Sequence, residues 1–167
     1  MKPAPIEGVH FCAVLPLAWR AKSGLSNLEV SRYLAVLAEF EQSGDDETGA
    51  QTGINAKLDL ALLWLARALA SEMPPTCETV IGLEQLVWTS DTPLETGASG
   101  FVALNLSESL PFLLPLPAKI ESCSEQGGAW QIVTRLQLAD ETVRDWWERT
   151  VFRRHRRAIQ LERSARS

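Results

Sequence analysis

Leucines recur at Leu58, Leu62, Leu65 and Leu69, spaced four, three and four residues apart. On an α-helix this spacing forms one narrow stripe, with Ile54 close to the same line. Extending the register backwards puts Asn55 at an a position, where a polar residue fixes register at some cost in stability. The opposite face carries Leu60, Leu63 and Trp64 rather than polar residues. Residues 54–70 therefore predict a helix covered on both sides, by its own copies and by a second layer of helix. A shorter amphipathic run precedes it. Leu28, Val30, Tyr33, Leu34, Leu37 and Phe40 predict a helix from a cap at Ser26 or Asn27 to about Glu41. The polar, acidic stretch 42–53 connects the two, and Gly49 and Gly53 leave open where the second helix begins. Pro74-Pro75 closes the helical section.

On either side of this section the period changes from helical to alternating. Val9–Arg20 reads as a strand, and Pro16 confines it to an edge or a bulge. Beyond Thr76, strands are expected at 77–81, 83–89, 100–106 and 112–120, the last bent or at an edge because of Pro115 and Pro117. The stretch 122–128 reads as a hairpin loop, and 129–138 as the returning strand. Asp140 is placed to cap a closing helix whose face is Val143, Trp147 and Val151. The chain is thus α+β. One domain is expected: a first strand at 9–20, a helical oligomerisation module at 26–73, the remaining antiparallel strands at 76–139 and a terminal helix at 140–163. Short strands separated by turns predict a barrel or sandwich, with the helices inserted after its first strand.

Composition fits a globular protein of one domain: 167 residues, 46% hydrophobic and 22% charged. The residues before Phe11 lack the hydrophobic length of a signal peptide. The stretch 54–70 carries Lys57, Asp59 and Arg67 and is short for a membrane span. Cys12, Cys77 and Cys123 are odd in number and widely separated, which suggests a reducing compartment. A cytoplasmic protein without a membrane span is expected.

The net charge of −5 is unevenly spread. Eight arginines face three acidic residues over 144–167, a local surplus of +5 that leaves −10 for the rest. Arg153, Arg154, Arg156 and Arg157 surround His155 and form the leading candidate anion site, with Arg20 a further candidate at a strand end. The plainer reading of the same cluster is a solvated helix end, where cations complement the helix dipole. No aromatics interleave with these arginines and the body is acidic, which argues against nucleic acid as the ligand. His10 and His155 have no metal-ligand spacing, so no metal site is expected. No GxSxG elbow, ordered triad or phosphate loop is present, and no enzymatic activity or cofactor is expected.

The order of elements and several strings resemble the PilZ family of cyclic di-GMP receptors. GLEQLVWTSDTPLETGASGFVALNL (82–106) is similar to that family's glycine, strand, turn and alternating strand. ADETVRDWWERTVFRRHRR (139–157) is similar to its terminal helix, and VHFCAVLPLAWR (9–20) to its first strand. AKLDLALLWLA (56–66) resembles an atypical branch in which heptad helices interrupt the barrel and assemble a tetramer. The resemblance implies a six-stranded antiparallel barrel interrupted by a coiled-coil insertion. It also implies a regulatory role, cyclic di-GMP as possible ligand, and a protein partner.

The resemblance implies a degenerate nucleotide site as well. Members that bind the nucleotide carry RxxxR before the first strand and [DN]xSxxG on the next. Here the first region, 8–12, has no arginine. The second aligns with Cys77–Gly82, where Gly82 is kept, Thr79 replaces serine and Cys77 replaces the acidic or amide residue. Each lost charge-assisted hydrogen bond is worth roughly 1.5–3 kcal/mol, so direct binding is expected to be weak or absent. The expected assembly is a homotetramer, with a homodimer as runner-up, through Ile54, Asn55, Leu58, Leu62, Leu65 and Leu69. An oligomeric protein-binding scaffold with no nucleotide ligand is the alternative function.

Overall fold

A computed structural model describes residues 3–43, 73–108, 110 and 112–166, together with Leu58, Ala61, Leu65 and Ala68. Its strands are β1 (His10–Arg20), β2 (Thr76–Gly82), β3 (Gln85–Ser90), β4 (Ser99–Leu104), β5 (Leu114–Gln126) and β6 (Ala129–Leu136). They close an antiparallel barrel in the order β1-β2-β3-β6-β5-β4. Two helices are described along their whole length, α1 (Asn27–Ser43) after β1 and α2 (Glu141–Arg166) at the end.

Closure depends on β1 changing partners partway along. His10–Pro16 pair with β2 and Leu17–Arg20 pair with β4. Pro16 sits at the change. Its carbonyl accepts the Asn105 N–H at 2.9 Å, so its missing N–H faces the side where the β4 ladder has already ended. The prolines of β5 follow the same logic. The Pro117 carbonyl accepts from Gln137 on the β6 side, and β5 pairs with β6 only from Ala118 onward. The β5 prolines therefore lie in the stretch that pairs with β4 alone, locally an edge toward β6, while from Ala118 onward the strand pairs with β6.

One strand boundary differs clearly from the alternation reading. The hairpin loop expected at 122–128 is mostly strand: β5 runs to Gln126 and only Gly127-Gly128 turn. Both glycines have positive φ, 61° and 87°, which a two-residue I′ turn requires at both central positions. Ser122, Ser124 and Gln126 are polar because they face solvent, and that polarity mimics a loop.

Interior positions alternate as expected, with Leu15, Ile81, Leu86, Trp88, Val102, Leu116 and Ile132 buried in one core. One mouth of the barrel is closed by α2. Val143, Trp147 and Val151 are 3%, 0% and 0% exposed, and the Trp147 indole N–H donates to the Leu83 carbonyl at 3.1 Å. Asp140 caps this helix through the Val143 N–H at 2.9 Å. Ser26 and Glu29 form a reciprocal capping box on α1. The backbone and side-chain hydrogen bonds from Ser26 hold the Glu29 carboxyl below the usual range.

The two helices run side by side in the same direction. Asn27 reaches Asp140 at one end, and Glu41 meets Arg153 and Arg154 near the other. Val30, Leu34, Leu37 and Ala38 are buried, so α1 belongs to the chain's own core.

Candidate functional site

The four described positions between residues 44 and 72 are helical and exposed: Leu58, Ala61, Leu65 and Ala68. Their spacing is three, four, three, the a/d spacing of a coiled coil. Leu58 is 55% and Leu65 49% exposed, so two seam leucines of one chain meet water. Ile54, Asn55, Leu62 and Leu69 lie outside the described residues.

The arginine cluster closes onto the root of this segment. Glu41, in the last turn of α1, accepts from Arg153 at 2.8 Å and from Arg154 at 2.6 and 2.9 Å. These side chains are mostly buried, at 11% exposure for Glu41, 16% for Arg153 and 19% for Arg154. Arg157 donates to the Glu41 carbonyl, and Arg154 also donates to the Leu106 carbonyl. The Arg154 guanidinium lies 5.5 Å from the Phe11 ring centroid, and His155 bonds the His10 carbonyl. Beside Leu106, the Asn105 side chain bonds the Leu110 carbonyl at 3.1 Å and contacts the Met73 sulfur at 4.0 Å. The chain leaves the described fold after Ser43 and re-enters it at Met73. The arginines therefore tie the first root of the inserted segment, at Glu41, to β1 and to the loop after β4, and Asn105 of that same loop meets the second root at Met73. Arg156 alone of the four is exposed.

Arg20 is not brought to this cluster. It pairs with Phe101 at the end of β1, four residues past Pro16. Pro16 and Arg154 line one groove of about 390 Å³. At roughly 3.3 Å per residue, Arg20 lies about 13 Å further along the strand.

The motif strand 77–82 is β2 itself. Its alternation turns Cys77 and Thr79 toward the barrel interior beside Trp88. Thr79 is 2% exposed, and its hydroxyl bonds the Cys77 carbonyl at 3.3 Å and faces the Cys77 sulfur at 3.5 Å. Burial raises the Cys77 thiol above its ordinary range, and the hydrogen bond to Thr79 partly offsets this. Gly82 pairs with His10 at the far end of the strand, where a Cβ would stand 3.2 Å from the Gln85 carbonyl oxygen.

The outer face of β2 is covered by the chain's own lead. Val80 and its neighbour Val87 alternate away from the core, yet are 2% and 3% exposed. Pro3 is buried against this face, the Ala4 N–H donates to buried Gln131 at 2.9 Å, and Ile6 packs beside Gly82. The cavity left between Pro3, Cys12, Glu78 and Val80 holds about 210 Å³.

Sequence reasoning missed two parts of this arrangement. Glu41 was one apolar-helix terminus among many acids, although its place four residues after Leu37 on a helix facing arginines was a usable signal. The cover formed by 3–6 read as an extended lead-in, since Pro3 and Pro5 carry no alternation.

A closed six-stranded barrel with one mouth capped by a terminal helix, and a helical segment rooted after its first strand, defines the class. The family model described as atypical PilZ domain, cyclic di-GMP receptor, matches residues 32–164. The chain belongs to that atypical PilZ family. Among solved structures, a protein of Xanthomonas campestris is similar over 92% of both chains, at 23% identity and a TM-score of 0.80. Its structure is described as a tetrameric PilZ domain self-assembled via a helical bundle. No curated protein matches the chain. Among the described residues, no helix is long and apolar enough to cross a membrane and no group of metal-binding side chains occurs.

Proposed function

We propose that this chain is a non-catalytic adaptor in cyclic di-GMP signalling, assembled as a homotetramer through its inserted helical segment. In this reading it binds the nucleotide weakly or not at all by itself and passes the signal through a protein partner. The observation that carries the assembly is the exposure of Leu58 and Leu65 on one heptad-spaced stripe, with α1 already packed into the core. The Xanthomonas tetramer, built through a helical bundle, supports the same use of the segment.

Two further observations support the weak nucleotide site. Thr79 and Cys77 spend their polar atoms on each other inside the barrel, and residues 3–6 occupy the outer face of the motif strand. Arg153, Arg154 and Arg157 are engaged at Glu41, which leaves Arg156 and Arg20 as the arginines of the candidate set not drawn into that clamp. A scaffold with no nucleotide ligand at all is favoured by the same cover and is separated by titration. Calorimetry of the full chain with cyclic di-GMP is expected to give no saturable heat at micromolar ligand. Sub-micromolar binding would overturn the weak-site reading, and its loss in Arg156→Ala would assign the site to the helix arginines.

A further inference from the structure

The arginines of α2 divide between two faces of the helix. Arg153, Arg154 and Arg157 turn toward α1 and are engaged at Glu41. Arg149, Arg156 and Arg163 lie on the outward side and are exposed. They are spaced seven residues apart, and Phe152 and Ile159 fall between them, so the face is stepped three, four, three, four. That is the a/d seam of a coiled coil, with arginine at a and an apolar residue at d. Phe152 is 42% exposed and Ile159 is half-buried.

The seam has definite limits. One heptad earlier the same two positions are Thr142 and Asp145, both polar and exposed, so the seam opens at Arg149. From there to Arg163 it runs for about 21 Å at 1.5 Å per residue. The Arg149 guanidinium lies over Trp146, 5.3 Å from the ring centroid. Glu148 and Glu162 stand on one border of the seam, and Arg153 on the other is already paired with Glu41. The positive charge therefore sits on the apolar stripe itself rather than beside it. The helix beneath is fixed, because Val143, Trp147 and Val151 are buried on its barrel side.

We propose that this face docks an α-helix of a partner protein that carries glutamate or aspartate on its own apolar stripe. Phe152 and Ile159 pack between the partner's apolar residues, and Arg149, Arg156 and Arg163 meet its carboxylates. Charge complementarity selects the occupant. A second copy of the chain would set arginine against arginine, and a like-charge seam works against self-pairing. A neutral helix would bring apolar contact but leave the three guanidiniums facing nothing of opposite charge. A seam of two heptads is a small interface, so the affinity is modest and falls with salt. This docking rests on the adaptor role, which requires a protein partner.

The test is fluorescence anisotropy of a labelled helical peptide of three heptads, titrated with the full chain. The peptide carries leucine at d, glutamate at a, and alanine and glutamine elsewhere; the control peptide has glutamine at a. The glutamate peptide is expected to bind saturably in the micromolar range, and the control about tenfold more weakly, for three partly screened ion pairs. Phe152→Ala should weaken the glutamate peptide about tenfold, and Arg156→Gln about threefold. Both variants should keep the wild-type mass in light scattering, which separates a failure of docking from a failure of assembly. No saturable binding, equal binding of the control peptide, or unchanged affinity in Phe152→Ala would each overturn the proposal, whatever the mass. Sedimentation with phosphatidylserine vesicles that is lost in Phe152→Ala, in place of peptide binding, would reassign the face to an anionic membrane and overturn the acidic-helix assignment.

Discussion

Replacing Glu41 by glutamine keeps the side chain's shape and removes its charge, leaving Arg153 and Arg154 without their shared carboxylate. All three side chains are less than one-fifth exposed, so the vacated cations stay largely out of water. Removing one partner of a fully buried ion pair costs about 3–5 kcal/mol, and of an exposed pair about 0–1 kcal/mol. Arg154 keeps the Leu106 carbonyl and Arg153 keeps a 3.5 Å contact to the Ala38 carbonyl, which places the loss below the buried limit. A cost of about 2–3 kcal/mol follows, and for a chain of this size roughly 2–4 °C per kcal/mol gives a Tm lower by about 5–10 °C. Thermal melting by circular dichroism measures it, at fixed protein concentration because assembly couples to stability. Glu84→Gln is the control, since Glu84, 77% exposed, pairs with Arg135, 55% exposed, and should move Tm little. If Glu41→Gln lowers Tm no more than Glu84→Gln, the arginines do not fasten the root of the insertion.

Other perturbations probe separate joints. Gly100→Ala should cost about 2 kcal/mol or more, because both the Trp19 ring and the Arg20 backbone oxygen stand inside contact distance; an unchanged urea midpoint would contradict that packing. Tyr33 stacks on Phe112 at 4.3 Å, and its buried hydroxyl has no hydrogen-bond partner among the described residues. Tyr33→Phe should therefore be neutral or stabilising by up to ~1 kcal/mol, and a clear loss in chemical denaturation would mean that the hydroxyl is bonded. Hydrogen bonding from Arg135 holds the Glu121 carboxyl below its usual range. Its small stabilisation is present above about pH 4.3, the unfolded value, and is lost as pH falls through the lower folded value. Glu121→Gln should remove that part of the acid dependence and cost well under 1 kcal/mol at neutral pH. A steeper acid loss in the variant would reverse the sign of the argument.

The elements themselves were legible because burial leaves a period. Val143, Trp147 and Val151 announced the capping face of α2, and alternation from Phe11 to Leu17 and from Gly100 to Leu104 announced the barrel. Ser26 and Asp140 were legible as caps because capping chemistry is local. What escaped was set by distant partners. Solvent-facing serines at 122 and 124 hid a strand, since polarity on one face and a loop look alike until the neighbours are known. Pro115 and Pro117 marked the stretch of β5 that pairs on one side only, but nothing local showed that the strand continues past them to pair with β6 as far as Gln126. The arginines were legible as a cluster, but their partner, Glu41, lies more than a hundred residues away. The cover over Val80 depends on Gln131 meeting Ala4, a pairing with no trace in either local string.

The central claim is that the exposed leucine stripe builds the assembly. Light scattering coupled to size exclusion, on wild-type protein and on Leu58→Glu combined with Leu65→Glu, tests it most directly. A chain of 18.5 kDa should elute at four times that mass, and the double variant should fall to the single-chain mass with its strand signal intact. A wild-type monomer at micromolar concentration, or a variant that keeps the wild-type mass, would contradict the account.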